Sequence, residues 1–157
     1  MTVRTPDQLA VELMNRHAEL LDDDRLEDWL DLFLDDATYR VVPRENHDRG
    51  LPAAIIQCDN KRMLRDRIVA LREANEYNLH YPRHLIGSTQ GRLRADGGYD
   101  VSASYAVFQT DMDGRSRLFS VGRYRDHAVL VDGELRLLHK LVIVDTFSVP
   151  TLLAMPL

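Results

Sequence analysis

The stretch Arg44-Glu45-Asn46-His47-Asp48-Arg49-Gly50 sets one histidine among two carboxylates and two guanidiniums. Those residue types can hold a metal ion or form an acid–base pair. The stretch follows Pro43 and runs into Gly50-Leu51-Pro52, so the pattern predicts a wet loop, 44–52, between two strands. Such a loop does not give His47 the desolvation that poises an imidazole for catalysis. Its alternating charges suit a polar contact zone instead, with Arg44 and Arg49 forking onto carboxylates or carbonyls of another chain.

His80 and His84 flank Tyr81-Pro82-Arg83. Pro82 forbids a regular helix, and in a strand the two rings stand roughly 13 Å apart, too far to share one ion. Their expected role is a strand entrance whose ring nitrogens bond to backbone or to a partner. His139 shares a strand face with Leu135, Leu137, Leu141 and Ile143 by simple alternation. That face predicts a satisfied core histidine; if it lines a pocket, His139 with Tyr105 is the acid–base candidate. His17 and His127 carry no stronger signal. The acidic run Asp22-Asp23-Asp24-Arg25-Leu26-Glu27-Asp28 lacks the glycine and distal glutamate of a calcium loop. It reads as a solvated turn whose acids favour the start of the next helix. Asp111-Met112-Asp113-Gly114 reads as a hairpin turn. No nucleophile elbow or glycine-rich phosphate loop occurs, and Cys58 has no histidine in its local sequence.

These residues need elements to carry them. Thr5-Pro6-Asp7 starts a helix over 6–21, with Leu9, Leu13, His17 and Leu20 on one stripe. A second helix carries Leu26, Trp29, Leu30 and Phe33 and ends at Asp35-Asp36. Strands are predicted at 37–43 and 53–58, and a third helix at 60–75. Four long strands follow over 84–95, 99–112, 115–131 and 134–147, joined at Gly-containing turns. Long strands twist and curl, so helices at one end and a curled, mostly antiparallel sheet at the other define an α+β class. That order is the order of the cone-shaped nuclear-transport-factor-2-like fold, expected here as one domain over 1–157. The fold hosts enzymes and non-enzymes alike.

Composition narrows the function. At 157 residues, 45% hydrophobic and 29% charged, the chain supports a packed core without staples. A net charge of −5 argues against a nucleic-acid or anionic-membrane partner. One cysteine excludes an internal disulfide and any cysteine-built zinc or iron–sulfur site in this chain. No leader-like or spanning apolar run is seen, and the expectation is a soluble cytoplasmic protein.

Several segments together resemble one family. Residues 20–46, "LLDDDRLEDWLDLFLDDATYRVVPREN", are similar to the start of the small (β) subunits of bacterial aromatic ring-hydroxylating oxygenases. "MLRDRIVALREANEY", "YPRHLIGS" and "LFSVGRYRDHAVLVDGELRL" follow in the same order and spacing. "YRVVPRENHDRGLP", "DRIVALREA" and the ending "TLLAMPL" resemble the branch acting on aromatic carboxylates. Terephthalate dioxygenase small subunits look most similar, with salicylate, anthranilate and halobenzoate types nearby. The family often has a tryptophan after the last hairpin glycine, where this chain has Gly133-Glu134-Leu135.

The resemblance implies a division of labour. A large α subunit carries a Rieske [2Fe–2S] cluster and a mononuclear non-haem Fe(II), fed from NAD(P)H through a reductase or ferredoxin. The β chain binds no metal or cofactor, has no catalytic residue, and supports an α3β3 assembly. The residues expected at the subunit interface are Arg44, Glu45, His47, Asp48, Arg49, Arg83 and His84. The alternatives are a stand-alone isomerase or dehydratase of this fold, with a His/Asp acid–base pair in the cone, and a scaffold protein without an oxygenase partner.

Overall fold

The computed structural model describes residues 2–74, 80–145 and 156–157. Helix α1 (Pro6–Asp22) begins in a capping box: Thr5 Oγ1 accepts the Gln8 N–H at 3.2 Å, and the Gln8 side chain accepts the Thr5 N–H at 2.8 Å. Its apolar stripe Leu9, Leu13, Met14 and Leu21 is buried, together with His17. Helix α2 (Leu26–Leu30) is shorter than its hydrophobic spacing predicts. Leu32 and Phe33 leave the helix because the sheet claims their backbone: the Leu137 N–H bonds the Leu32 carbonyl, and Phe33 pairs with Leu137.

Strand β1 therefore spans Phe33–Pro43 rather than starting at residue 37. The expected loop after it is partly helical. Pro43 is extended, and Arg44–Asp48 form one helical turn, α3, followed by Gly50 at a φ of 65°. Ion pairs Arg44–Asp48 (3.6 Å) and Glu45–Arg49 (3.2 Å) at i,i+4 spacing support that turn. Strand β2 is only Ile56–Cys58, and α4 (Lys61–Ala74) starts where Asn60 Oδ1 accepts the Met63 N–H at 2.9 Å. The predicted helix end at 75 and the last residues of the 134–147 strand lie outside the described residues, as does most of the "TLLAMPL" ending.

Four long strands complete the chain: β3 (Tyr81–Leu93), β4 (Tyr99–Thr110), β5 (Ser116–Val131) and β6 (Glu134–Val144). The sheet order is β2-β1-β6-β5-β4-β3, with β1 parallel to β6 and every other pair antiparallel. Strand β3 is an edge, which is why it starts before Pro82. The last hairpin turns on Asp132 and Gly133, both at positive φ, as a tight two-residue connection demands. The sheet curls around α1, α2 and α4, whose apolar faces join Trp29, Tyr39, Tyr105 and Tyr124 in one core. The architecture is α+β, the cone-shaped fold expected from the order of elements.

Helix α1 lies across β3, and at Gly91 an added Cβ overlaps the Pro6 carbonyl. Gly91→Ala is expected to cost roughly 1–3 kcal/mol in urea denaturation, the usual range for overpacking. Gly87→Ala, on the same strand with nothing within 4 Å of its Cβ, is expected to stay within about 0.5 kcal/mol of the parent.

Candidate functional site

A β-bulge at Leu138 decides which residues face the cone. In the β5–β6 ladder His127 pairs with His139 but Ala128 pairs with Leu137, leaving Leu138 extra. An extra residue inverts the alternation beyond it. Leu135 and Leu137 are in the core, but beyond the bulge the inward positions are Lys140, Val142 and Val144. His139 and Leu141 turn to the opposite, outer face. The expectation that His139 shares a buried face with Leu135 and Leu137 is thus corrected. His139 is exposed, bonds Thr38 Oγ1 at 2.8 Å, and is held below the ordinary imidazole pKa by partial burial and by His127 and Arg94.

The residue that takes its place inside is Lys140, whose side chain is 0% exposed. Its ammonium donates to Asp126 Oδ2 at 2.8 Å and lies 3.8 Å above the Tyr124 ring. Burial pushes Lys140 below and Asp126 above their ordinary ranges, while their contact opposes both shifts. Among the described residues Asp126 Oδ1 has no hydrogen-bond partner. Tyr124 stacks on Tyr105 with centroids 4.6 Å apart, and Tyr105 Oη bonds Ser120 Oγ at 3.0 Å. Burial pushes both phenols up. Tyr105 is therefore a packed core residue.

His17, which its sequence context did not single out, sits at the centre. The Trp29 indole N–H donates to His17 Nδ1 at 2.9 Å, so Nδ1 carries no proton and Nε2–H faces Tyr124 Oη at 3.2 Å. His17 is fully buried, and burial followed by the nearby Lys140 and His84 charges lowers its pKa well below 6.5. Only the i, i+4 stripe through Leu13 and Leu21 hinted at its burial.

The acidic run is a set of clamps rather than a solvated turn. Asp22 accepts the His84 backbone N–H at 3.0 Å and His84 Nδ1 at 2.6 Å, tying the end of α1 to β3. Arg72 of α4 forks onto Glu27 at 2.9 Å through two nitrogens and reaches Asp24 at 2.6 Å. The Arg72 hydrogen bonds hold the Glu27 carboxyl down to about 2. At the β4–β5 turn, Asp111 Oδ1 accepts the backbone N–H groups of Asp113 and Arg115, each at 3.0 Å.

The expected interface residues are not all brought together. Arg44, Glu45, His47, Asp48 and Arg49 ride on α3 with no buried side chain, and Arg44 also meets Asp145 at 3.5 Å. Arg83 is exposed, 4.0 Å from Asp22. His84 is a correction: its side chain is 1% exposed, its Nδ1 is taken by Asp22, and its Nε2 has no partner among the described residues beside the His17 ring, 5.7 Å away. It is an interior residue. Cys58 is buried, which pushes its thiol up. Among the described residues no three His, Cys, Asp or Glu side chains gather as metal ligands, and no helix is long and apolar enough to cross a membrane.

A curled sheet wrapped on three helices, with a packed polar interior and an uncovered outer face, defines a class of cone-fold domains used both as enzymes and as subunits. Comparison with known proteins resolves the family. Residues 16–151 match the model of the ring hydroxylating beta subunit, and the chain belongs to that family. The anthranilate 1,2-dioxygenase small subunit of Burkholderia cepacia is 46% identical, over 92% of this chain and 90% of that one. Subunit beta 2 of the terminal oxygenase component of terephthalate 1,2-dioxygenase from Comamonas sp. is 37% identical, over 90% and 92%. A solved beta subunit of a candidate aromatic-ring-hydroxylating dioxygenase from Novosphingobium aromaticivorans superposes with a TM-score of 0.87 at 44% identity, covering 96% of each chain.

Two measurements test the interior. Removing one partner of a buried ion pair strands the other, so Lys140→Met is expected to cost about 3–5 kcal/mol. The double variant Lys140→Met/Asp126→Leu is expected to recover most of that loss in urea denaturation. For His17 the folded pKa lies below the unfolded 6.5, so the unfolded chain binds the proton first as pH falls. Its contribution is full above pH 6.5 and is lost below it, at up to about 1.4 kcal/mol per pH unit. His17→Gln is expected to flatten stability between pH 6.5 and 5 relative to the parent; an unchanged slope assigns the acid sensitivity to other groups.

Proposed function

We propose that this chain is the non-catalytic β subunit of a Rieske-type oxygenase acting on an aromatic carboxylate. It packs against an iron-bearing large subunit in an α3β3 assembly in the cytoplasm. The observation that carries the non-catalytic reading is the filled cone: Trp29, Tyr39, Tyr124, Lys140 and His17 are all buried and pack against one another where an enzyme of this shape needs room for a substrate. A Rieske centre takes two cysteines and two histidines, and a chain with one cysteine does not supply them. The cluster, the mononuclear iron and the route for electrons from NAD(P)H then belong to the large subunit and the reductase. The carboxylate substrate class is supported by the anthranilate and terephthalate relatives, whose named substrates are both benzene carboxylates.

The Asp22–His84 pair is the one feature that favours a stand-alone acid–base enzyme. Its free Nε2, however, looks onto the His17 ring within the packed interior. The chain's contribution is therefore surface and rigidity. The exposed α3 charges, with Arg83, are the polar part of the contact with the large subunit.

Expression alone and together with the large subunit separates these readings. The lone chain is expected to be colourless, and the co-expressed pair to elute as a brown complex of several chains. A lone chain that turns over a small molecule and never joins an iron-containing partner refutes the proposal. Arg49→Glu replaces the Glu45–Arg49 pair with like charges and is expected to lower complex yield about tenfold. Its melting temperature is expected to stay within ~1 °C, since exposed ion pairs contribute little to stability. Unchanged complex mass and yield argue against an interface at α3.

A further inference from the structure

The outer face of the sheet carries a built cationic groove that the subunit role does not use. Cross-strand register lines up two adjacent rows. One runs Arg40, Leu141, Arg125, Ser102, Gln90 from β1 to β3; the other runs Thr38, His139, His127, Asp100, Arg92. All ten line a single groove of about 650 Å3, within the usual range for a small-molecule site. Neighbouring strands are roughly 4.8 Å apart, so Arg40 and Arg125 stand about 10 Å apart at the backbone, on either side of Leu141. His127 and His139 follow in the next row, their rings 5.7 Å apart.

The charges there are uncommitted. Several arginines elsewhere are paired: Arg16 with Glu134, Arg72 with Asp24 and Glu27, Arg94 with Asp96 and Asp100. Arg40, Arg92 and Arg125 have no carboxylate within 4.0 Å among the described residues. Among the described residues Arg40 Nε is buried without a partner, and its guanidinium reaches only the Pro52 carbonyl at 3.4 Å. Of the two carboxylate residues lining the groove, Asp100 is already bonded to Arg94 at 2.7 Å and the buried Asp126 to Lys140 at 2.8 Å. A chain of net charge −5 thus gathers three unpaired guanidiniums and two imidazoles at one place.

We propose that this groove binds a small dicarboxylate. The Arg40 and Arg125 guanidiniums hold its two ends, its apolar body lies over Leu141, and the second row adds the His127, His139 and Arg92 donors. The planar fork of arginine suits a carboxylate, and two forks across an apolar floor favour a molecule charged at both ends. The inference stands apart from the subunit reading. It concerns binding by the chain itself and survives or fails whatever the outcome of co-expression.

Isothermal titration of the purified full chain with benzene-1,4-dicarboxylate tests it, with benzoate and inorganic pyrophosphate as comparators. The expected result is saturable 1:1 binding of the dicarboxylate that weakens with added salt, at least tenfold tighter than benzoate. Arg40→Gln and Arg125→Gln are each expected to weaken it about tenfold or more, the scale of one charge-assisted fork. Arg65→Gln, on α4 away from the groove, is expected to leave it unchanged. Circular dichroism confirms that each variant is folded. No dicarboxylate binding at 10 mM overturns the proposal, as does binding that survives both groove variants. Binding of pyrophosphate without the dicarboxylate overturns it too, since the apolar floor then plays no part.

Discussion

An ammonium group inside a protein must be surrounded by partners that replace its water, and much of this chain's interior answers to that requirement at Lys140. The desolvation cost of such a group runs to several kcal/mol after relaxation. Asp126 on the neighbouring strand offsets it through a 2.8 Å hydrogen bond, and the Tyr124 ring offers its negative face from 3.8 Å. Tyr124 is in turn held by stacking on Tyr105 and by the His17 contact, and His17 is oriented by Trp29. A chain of contacts thus runs from β6 and β5 through α1 to α2. Removing its first member disturbs elements that never touch it.

The same arrangement separates the two faces of the sheet by role. The inner face is occupied to capacity by aromatic rings and their polar partners, with α1, α2 and α4 closed over it. The outer face carries its arginines and histidines half-buried or exposed, with Arg40 and His127 half-buried and Arg92, Arg125 and His139 exposed. A domain built this way is rigid inside and expressive outside. Its chemistry is recognition of charged groups, by α3 at one end and by the rows of Arg40 and His139 across the middle. The acidic clamps fasten the helices at two depths, the buried pair of Asp22 with His84 and the exposed pairs of Asp24 and Glu27 with Arg72.

Much of this was legible in the residues alone. The Thr5 cap, the Leu9–Leu13 stripe, the Gly-marked hairpins and the single cysteine each have a local cause, and each appears where expected. What was not legible depends on partners distant in sequence. Trp29-Leu30 predicted a helix running on through Phe33, but Leu137 recruits that backbone into the sheet. The loop at Arg44 gained a helical turn from its own i,i+4 pairs, a signal present in the sequence and outweighed there by Pro43 and Gly50. His17 carried no local mark of importance and His84 was expected at an interface, since their roles arise where α1 crosses β3. The outer rows were hidden because register, which composition does not reveal, is what brings Arg40 level with Arg125.

The bulge at Leu138 also bears on how relatives of this chain are aligned. A one-residue gap is ordinarily read as a harmless change in a connection. At this position, deleting the extra residue restores strict alternation and leaves His139 outside and Lys140 inside, so the gap is silent in space. A chain of the same length that pairs Leu138 regularly instead of bulging it puts the histidine inside and the lysine on the surface, with no substitution at either position. Columns beyond the bulge can then be equivalent in sequence without a gap and opposite in space, so residue-by-residue transfer of roles across it depends on the bulge being shared.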